Sequence, residues 1–262
     1  MDFIQAVLLG LVQGITEFLP VSSSGHLVLM QQLMGLENVP IFFDTMLHMG
    51  TLVAVVVVLF WDIIGIFRHP IKNHLGMLII ATIPAAAAGY LLGDFFESVF
   101  KNGQFLGICF LATALILILS ELIAARIKVK KQITIKNALI MGVMQAVAIF
   151  PGISRSGSTI AGGLFSGVDR TQAARFSFLM SIPIIIGSSG SSGMNALQTG
   201  MGDVSWTAVI AGTIAAAIMG YFAVKFMLAI IQKTKLYSFA VYVAILGVFV
   251  ILDQYYLHLI FK

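Results

Sequence analysis

Gln13-Gly-Ile-Thr-Glu17-Phe-Leu-Pro20-Val-Ser22-Ser23-Ser24-Gly25-His26 is a polar string set inside an apolar segment that runs from about residue 3 to residue 35. It holds a carboxylate, three consecutive hydroxyls, an imidazole and a proline–glycine break. An ionisable group at membrane depth marks a functional site by default. Gln13 and Glu17 are four residues apart and share one face of a helix. Pro20 ends that helix and drives Leu19 away from helical angles. Ser22-Ser23-Ser24 before the apolar run from Leu27 is an N-cap signal for a second helix. The segment therefore reads as two half-helices meeting at a break.

The surrounding composition says what this break lies in. The chain has 262 residues, 59% hydrophobic and only 10% charged, against about 25% charged in a soluble domain. Its mean hydropathy is +1.02. Apolar spans fall at about 42–62, 75–93, 104–124, 173–190, 205–229 and 237–260, each near the length needed to cross a bilayer. Neither a basic leader nor a small-residue cleavage site surrounds Phe3, so the first segment does not read as a removable signal. The single cysteine, Cys109, excludes an internal disulfide framework and reads as a small core residue.

A second broken segment spans about 137–167. Its centre, Gln145-Ala-Val-Ala-Ile-Phe-Pro151-Gly-Ile-Ser154-Arg155-Ser156-Gly-Ser158-Thr159, is built like the first. Displacing the chain by 132 residues places Gly10 on Gly142, Gln13 on Gln145 and Ser24-Gly25 on Ser156-Gly157. A displacement of 131 places Pro20 on Pro151, Thr82-Ile83 on Thr213-Ile214 and Gly89-Tyr90 on Gly220-Tyr221. Non-helical backbone at this depth persists only when buried in protein or lining a wet cavity. The expected fold is thus an all-α integral membrane protein with six transmembrane helices and two re-entrant helix pairs. It forms one membrane domain over 1–262, with inverted-topology repeats at 1–132 and 133–262.

Basic residues set the expected orientation. With three spans per half, Arg68, Lys72, Arg126, Lys128, Lys130, Lys131, Lys136, Arg170, Arg175, Lys225, Lys233 and Lys235 collect on one side. Lys101 and Lys262 lie on the other, with Asp2, Glu37, Asp94, Glu97 and Asp203. Twelve against two assigns the basic side to the cytoplasm and both termini to the outside. The basic loops read as topology signals and lipid-headgroup contacts rather than nucleic-acid sites. The run Gly187-Ser-Ser-Gly-Ser-Ser-Gly193 after Pro183 reads as a helix terminus leading into a loop.

Facing each other, the two breaks would present two helix N-termini to one ligand, an arrangement suited to an anion. Arg155 adds a permanent cation that matches phosphate oxygens. A phosphate ester or anhydride fits this set, with Ser23 or another hydroxyl attacking phosphorus and His26 relaying the proton. Glu17 beside an anion calls for a divalent cation, and magnesium commonly takes one or two carboxylates plus substrate phosphates. Glu17 and the Gln13 side-chain carbonyl are the candidate metal ligands. His48 reads as structural, and Asp44 as a capping or solvated residue.

The two signatures resemble those of the undecaprenyl-diphosphate phosphatase family of the bacitracin-resistance type, along essentially the whole chain. The resemblance implies hydrolysis of undecaprenyl diphosphate at the outer face of the plasma membrane, recycling a cell-wall lipid carrier, with Mg2+ or Ca2+ required. It implies Glu17, Ser23, His26 and Arg155 as catalytic residues, with either Ser23 or His26 as the nucleophile, and Ser22, Ser154 and Thr159 as accessory positions; these three, with Ser156, are expected beside Arg155 on the diphosphate. Gln13 stands where many members carry a first glutamate, which bears on a two-carboxylate metal site. Expected partners are the polyprenyl diphosphate and membrane lipids, with a homodimer left open and no nucleic acid. A polyprenyl-phosphate flippase or anion transporter is the rival reading, since inverted repeats with broken helices are also a transporter plan.

Overall fold

The computed structural model describes residues 1–36, 39–69, 75–100, 103–129, 132–199 and 204–261, without the side chains of 94–100 and 191–199. The topology residues Glu37, Lys72, Lys101, Lys130, Lys131, Asp203 and Lys262 lie outside the described residues, as do the side chains of Asp94 and Glu97. The described residues form α1 (Phe3–Glu17), α2 (Ser23–Leu33), α3 (Ile41–Val58), α4 (Phe60–Arg68), α5 (Leu75–Phe100), α6 (Leu106–Ala124), α7 (Ile135–Val147), α8 (Arg155–Phe165), α9 (Arg170–Thr199), α10 (Trp206–Ile230) and α11 (Tyr237–Leu252). A π-helical turn, Asp253–Leu257, follows.

Six of these helices are long and apolar enough to cross a membrane: Ile41–Val58, Leu75–Gly93, Leu106–Ala124, Arg170–Gly190, Trp206–Ile230 and Tyr237–Leu257. At 1.5 Å per residue, about 20 residues span a hydrocarbon core of about 30 Å. The chain is a multi-pass membrane protein. Its outer faces carry side chains that a water-soluble protein would bury, among them Leu91, Ile210, Phe222 and Ile245. The two segments broken by polar residues form short helices instead, of 15 and 11 residues in the first and 13 and 11 in the second.

Three boundaries differ from expectation. The Gly187–Gly193 run does not end a helix: α9 continues through it to Thr199. Each glycine costs a helix about 1 kcal/mol relative to alanine, less than leaving backbone groups unsatisfied away from water, which continuing the helix avoids. The span expected over 42–62 breaks at Leu59, where the amphipathic α4 begins with Trp61 and Phe67 exposed. The last span ends early because buried Asp253 accepts N–H bonds from Leu259, Ile260 and Phe261, folding the chain back.

Packing brings the two broken segments together. α1 lies against α10 and α7 against α5, while α3 meets α9 and α6 meets α11. Two close approaches need residues without bulk. A Cβ on Gly10 would sit 2.2 Å from the Gly212 carbonyl oxygen, and one on Gly142 would sit 2.4 Å from that of Ala81. Phe18, fully buried directly after Glu17, meets the edge of Phe178 at 5.2 Å between ring centroids. Such a pair contributes about 0.5–1.5 kcal/mol beyond its burial and pins the end of α1 against α9.

Candidate active site

The first break begins where α1 ends at Glu17. Val21 N–H donates to the Leu19 carbonyl, closing the turn that contains Pro20. Ser22 adopts φ +71°, a conformation that costs a non-glycine residue roughly 1–3 kcal/mol. It is held there as the N-cap of α2, its Oγ accepting from Gly25 N–H at 3.3 Å. A good N-cap contributes about 1 kcal/mol. The consequence is that Ser23, the first residue of α2, faces back to the end of α1.

Ser23 Oγ donates to Glu17 Oε2 at 2.5 Å, and Gln13 Nε2 donates to the same oxygen at 2.9 Å. Arg155 Nη2 donates to Glu17 Oε1 across the gap between the two breaks. Glu17 is 6% exposed, so the guanidinium is what compensates a carboxylate withdrawn from water. Arg155 opens α8, capped by Ser154 Oγ accepting from Gly157 N–H at 3.0 Å. Its other terminal nitrogen, Nη1, is buried and has no partner. The Gln13 side-chain oxygen Oε1 is likewise buried and unpartnered.

The remaining hydroxyls mainly build the scaffold. Ser24 Oγ accepts from Gly152 N–H at 3.4 Å, and Ser156 Oγ donates to the Leu19 carbonyl at 2.7 Å, so each break is tied to the other. Thr159 Oγ1 donates to the Arg155 carbonyl at 2.8 Å and pairs with Ser177 Oγ at 2.6 Å. Thr113 on α6 braces the second break, donating to the Gly152 carbonyl and accepting from Ser154 N–H. Of the residues expected to hold a diphosphate, Arg155 is the one with an unused donor. Ser22, Ser154, Ser156 and Thr159 surround it as caps and ties.

His26 stands apart from this cluster. Its Nδ1 lies 2.7 Å from the Ser22 carbonyl and its Nε2 lies 2.8 Å from the Tyr242 hydroxyl, so neither nitrogen is bonded to Ser23. His48 comes closer to the carboxylate than its sequence setting suggests, with Nε2 3.7 Å from Glu17 Oε2. Asp44 accepts from Gln31 Nε2 at 3.0 Å and is half-buried rather than freely solvated. Sequence reasoning missed Thr113, Ser177 and Tyr242, and set His48 aside as structural. Each is an isolated polar residue in an apolar span, and only the packing of distant helices shows where it points.

With this geometry in view, the comparisons with known proteins are decisive. Residues 6–249 match the family described as bacitracin resistance protein BacA. The chain belongs to the BacA family. BacA relatives named undecaprenyl-diphosphatase align over nearly the full length. One from Halothermothrix orenii is 45% identical, covering 96% of this chain and 98% of the relative. One from Carboxydothermus hydrogenoformans is 45% identical, covering 97% and 98%. A Bacillus thuringiensis relative, undecaprenyl-diphosphatase 4, is 42% identical with the same coverage.

A divalent ion at this site would depend on the oxygen donors around Glu17. Among the described residues no group of three or more His, Cys, Asp or Glu side chains could hold a metal. Glu17 and the unpartnered Gln13 Oε1 supply two oxygens. That is a fit only for a hard cation completing its shell with phosphate oxygens and water, the usual manner of magnesium.

Proposed function

We propose that this protein hydrolyses undecaprenyl diphosphate to undecaprenyl phosphate and inorganic phosphate, as its relatives are named for doing. The observation carrying this reading is the buried, unpartnered Arg155 Nη1 beside a Ser23 hydroxyl already bonded to Glu17. A phosphoryl oxygen fits Nη1, and the capped N-termini of α2 and α8 favour the same negative charge. Ser23 Oγ attacks the terminal phosphorus while its proton passes to Glu17. The bond from phosphorus to the bridging oxygen breaks, and undecaprenyl phosphate leaves. Water, giving a proton to His26 Nε2, then attacks the phosphoserine; the bond from phosphorus to Ser23 Oγ breaks, Glu17 returns its proton to Oγ, and phosphate departs. Ser23 is the nucleophile in this reading because its Oγ is already bonded to the Glu17 carboxylate, whereas neither His26 nitrogen is.

Glu17 and Gln13 would hold Mg2+ or Ca2+ against the substrate, where the ion would neutralise phosphate charge. Titration calorimetry should show a binding heat in the presence of a non-hydrolysable diphosphate that Gln13→Leu weakens about tenfold or more. Equal affinity in the variant would remove Gln13 from the metal site.

The halves 1–132 and 133–262 act as inverted repeats in this reading. Support comes from the exchanged contacts: Gly10 against Gly212 in one place, and their repeat counterparts Gly142 and Ala81 against each other in the second. The twelve basic residues expected on one side support a reading with both termini and the site opening outside the plasma membrane. Carrier recycling there supports cell-wall synthesis and would confer bacitracin resistance. The same inverted plan suits a lipid flippase or anion transporter. The Ser23–Glu17 bond favours hydrolysis, since transport needs no activated hydroxyl. The test is purified protein in liposomes containing undecaprenyl diphosphate. Phosphate release, lost in Arg155→Ala and Ser23→Ala, is expected; movement of intact lipid with no phosphate released would overturn the reading.

A further inference from the structure

Tyr242 is the sole polar side chain between Ser238 and Asp253, a stretch of α11 whose Val241, Ile245 and Val248 are all exposed. It lies inside the candidate span Tyr237–Leu257, about one and a half turns from its start. A phenol placed there has an apolar ring that suits the setting and a hydroxyl that needs a partner. That partner is His26, 216 positions away in sequence, at 2.8 Å from Nε2. The two rings stack with centroids 5.7 Å apart and planes inclined by 17°. Phe110 meets the imidazole edge-on at 5.6 Å and 78°, so the histidine ring is gripped by two aromatic rings.

The hydrogen bonds then decide the tautomer. A carbonyl oxygen only accepts, so the Ser22 carbonyl at 2.7 Å places a proton on Nδ1. With Nδ1 protonated, the neutral ring keeps its lone pair on Nε2, and the Tyr242 hydroxyl donates to it. We infer that Tyr242 is a positioning residue of the hydrolase site, acting through His26 by holding it as the Nδ1–H tautomer with Nε2 ready to accept. Resting on the hydrolase reading, this goes beyond it by assigning a role to a residue outside both polar breaks. It also accounts for His26 being bonded to neither Ser23 nor Glu17: its accepting nitrogen is reserved by the tyrosine until substrate enters.

Tyr242→Phe keeps the stacked ring and removes only the hydroxyl. A positioned acid–base group contributes about 100- to 10,000-fold, and losing the hydrogen bond that orients it forfeits part of that. In detergent, with undecaprenyl diphosphate as substrate, Tyr242→Phe should lower kcat about tenfold or more, leave KM within twofold, and leave the thermal midpoint within a few degrees. Added to His26→Ala, it should lower the rate no further, because residues acting as one unit are not additive. Wild-type kcat in Tyr242→Phe would overturn the inference. So would an equal further loss in the His26→Ala background, or full activity of His26→Ala itself. In each of those cases an active wild type leaves the hydrolase reading standing. If the wild type releases no phosphate, that reading falls and takes this one with it.

Discussion

Replacing Glu17 by glutamine removes one charge and almost no volume, and its consequences divide into two parts that the structure keeps separate. Glu17 accepts from Ser23, Gln13 and Arg155 while only 6% exposed. An ion pair at contact distance is worth roughly 5 kcal/mol at an effective dielectric constant of 20. Removing one partner of a buried pair costs about 3–5 kcal/mol, because the other charge is left uncompensated. The first expected effect is therefore a clear fall in thermal midpoint at fixed scan rate in detergent. The second is on turnover: a positioned general base contributes about 100- to 10,000-fold, and the amide introduced by Glu17→Gln cannot take the Ser23 proton. The double variant Glu17→Gln with Arg155→Gln separates them. With both charges gone, stability should recover most of the loss while phosphate release from undecaprenyl diphosphate stays at background. If Glu17→Gln turns over within about threefold of wild type, the carboxylate is not the base for Ser23. If the double variant is no more stable than the single one, the charge-compensation argument fails instead.

Three further outcomes follow from the same geometry. Ser23→Ala should lower kcat at least about 1,000-fold with little change in melting, whereas Ser22→Ala, losing an N-cap, should cost about 1 kcal/mol of stability; the reverse pattern would exchange their roles. Gly10→Ala drives a methyl group to within 2.2 Å of the Gly212 carbonyl oxygen and should destabilise by about 1–3 kcal/mol or more, while Gly89→Ala, with no atom within 4 Å, should be neutral; equal melting of the two would refute the α1–α10 contact. Glu121→Gln breaks the pair in which a buried carboxylate accepts from Arg170 and from Leu236 N–H, and should cost about 3–5 kcal/mol with turnover per folded enzyme within twofold, a loss of catalysis without destabilisation being the contrary result.

The elements were legible wherever a local rule governs them. Apolar length set the six spans, and Pro20 and Pro151 with the serines beyond them set both breaks. The Gly/Ser run at 187–193 misled because its composition resembles a linker in water, where a helix competes with solvated coil; away from water that competitor is lost. The site divides the same way. Gln13 and Glu17 sit one turn apart on a single helix, so their bond follows from spacing alone. The Arg155–Glu17 pair joins residues 138 apart, and the likeness of the two polar breaks in sequence was the cue that they meet. Tyr242 and Thr113 had no such guide. Each is one hydroxyl in an apolar helix, and its partner depends on which neighbour the helix packs against.

The sequence match between the two breaks also bears on why the site is lopsided although its frame is even. Displaced by 132, Ser22 falls on Ser154 and Gly25 on Gly157, and each serine caps its own helix through the matching N–H. Ser24 falls on Ser156, and each reaches across to the backbone of the opposite break. The residues that build the frame are thus the same in both halves. Those that differ are the ones the proposed hydrolysis would use: Glu17 falls on Ile149, Ser23 on Arg155 and His26 on Ser158. Two carboxylates in a symmetric pocket would repel a diphosphate, and two arginines would bind it with no base to activate a hydroxyl. In the proposed hydrolysis, a frame built twice, with the base and nucleophile on one side and the cation on the other, would bring unlike groups to a single phosphorus. Exchanging Ser23 and Arg155 between the breaks should therefore leave the melting point near wild type while abolishing phosphate release, since the serine at 155 is too short to reach Glu17 across the gap that the arginine spans; retained turnover would refute this.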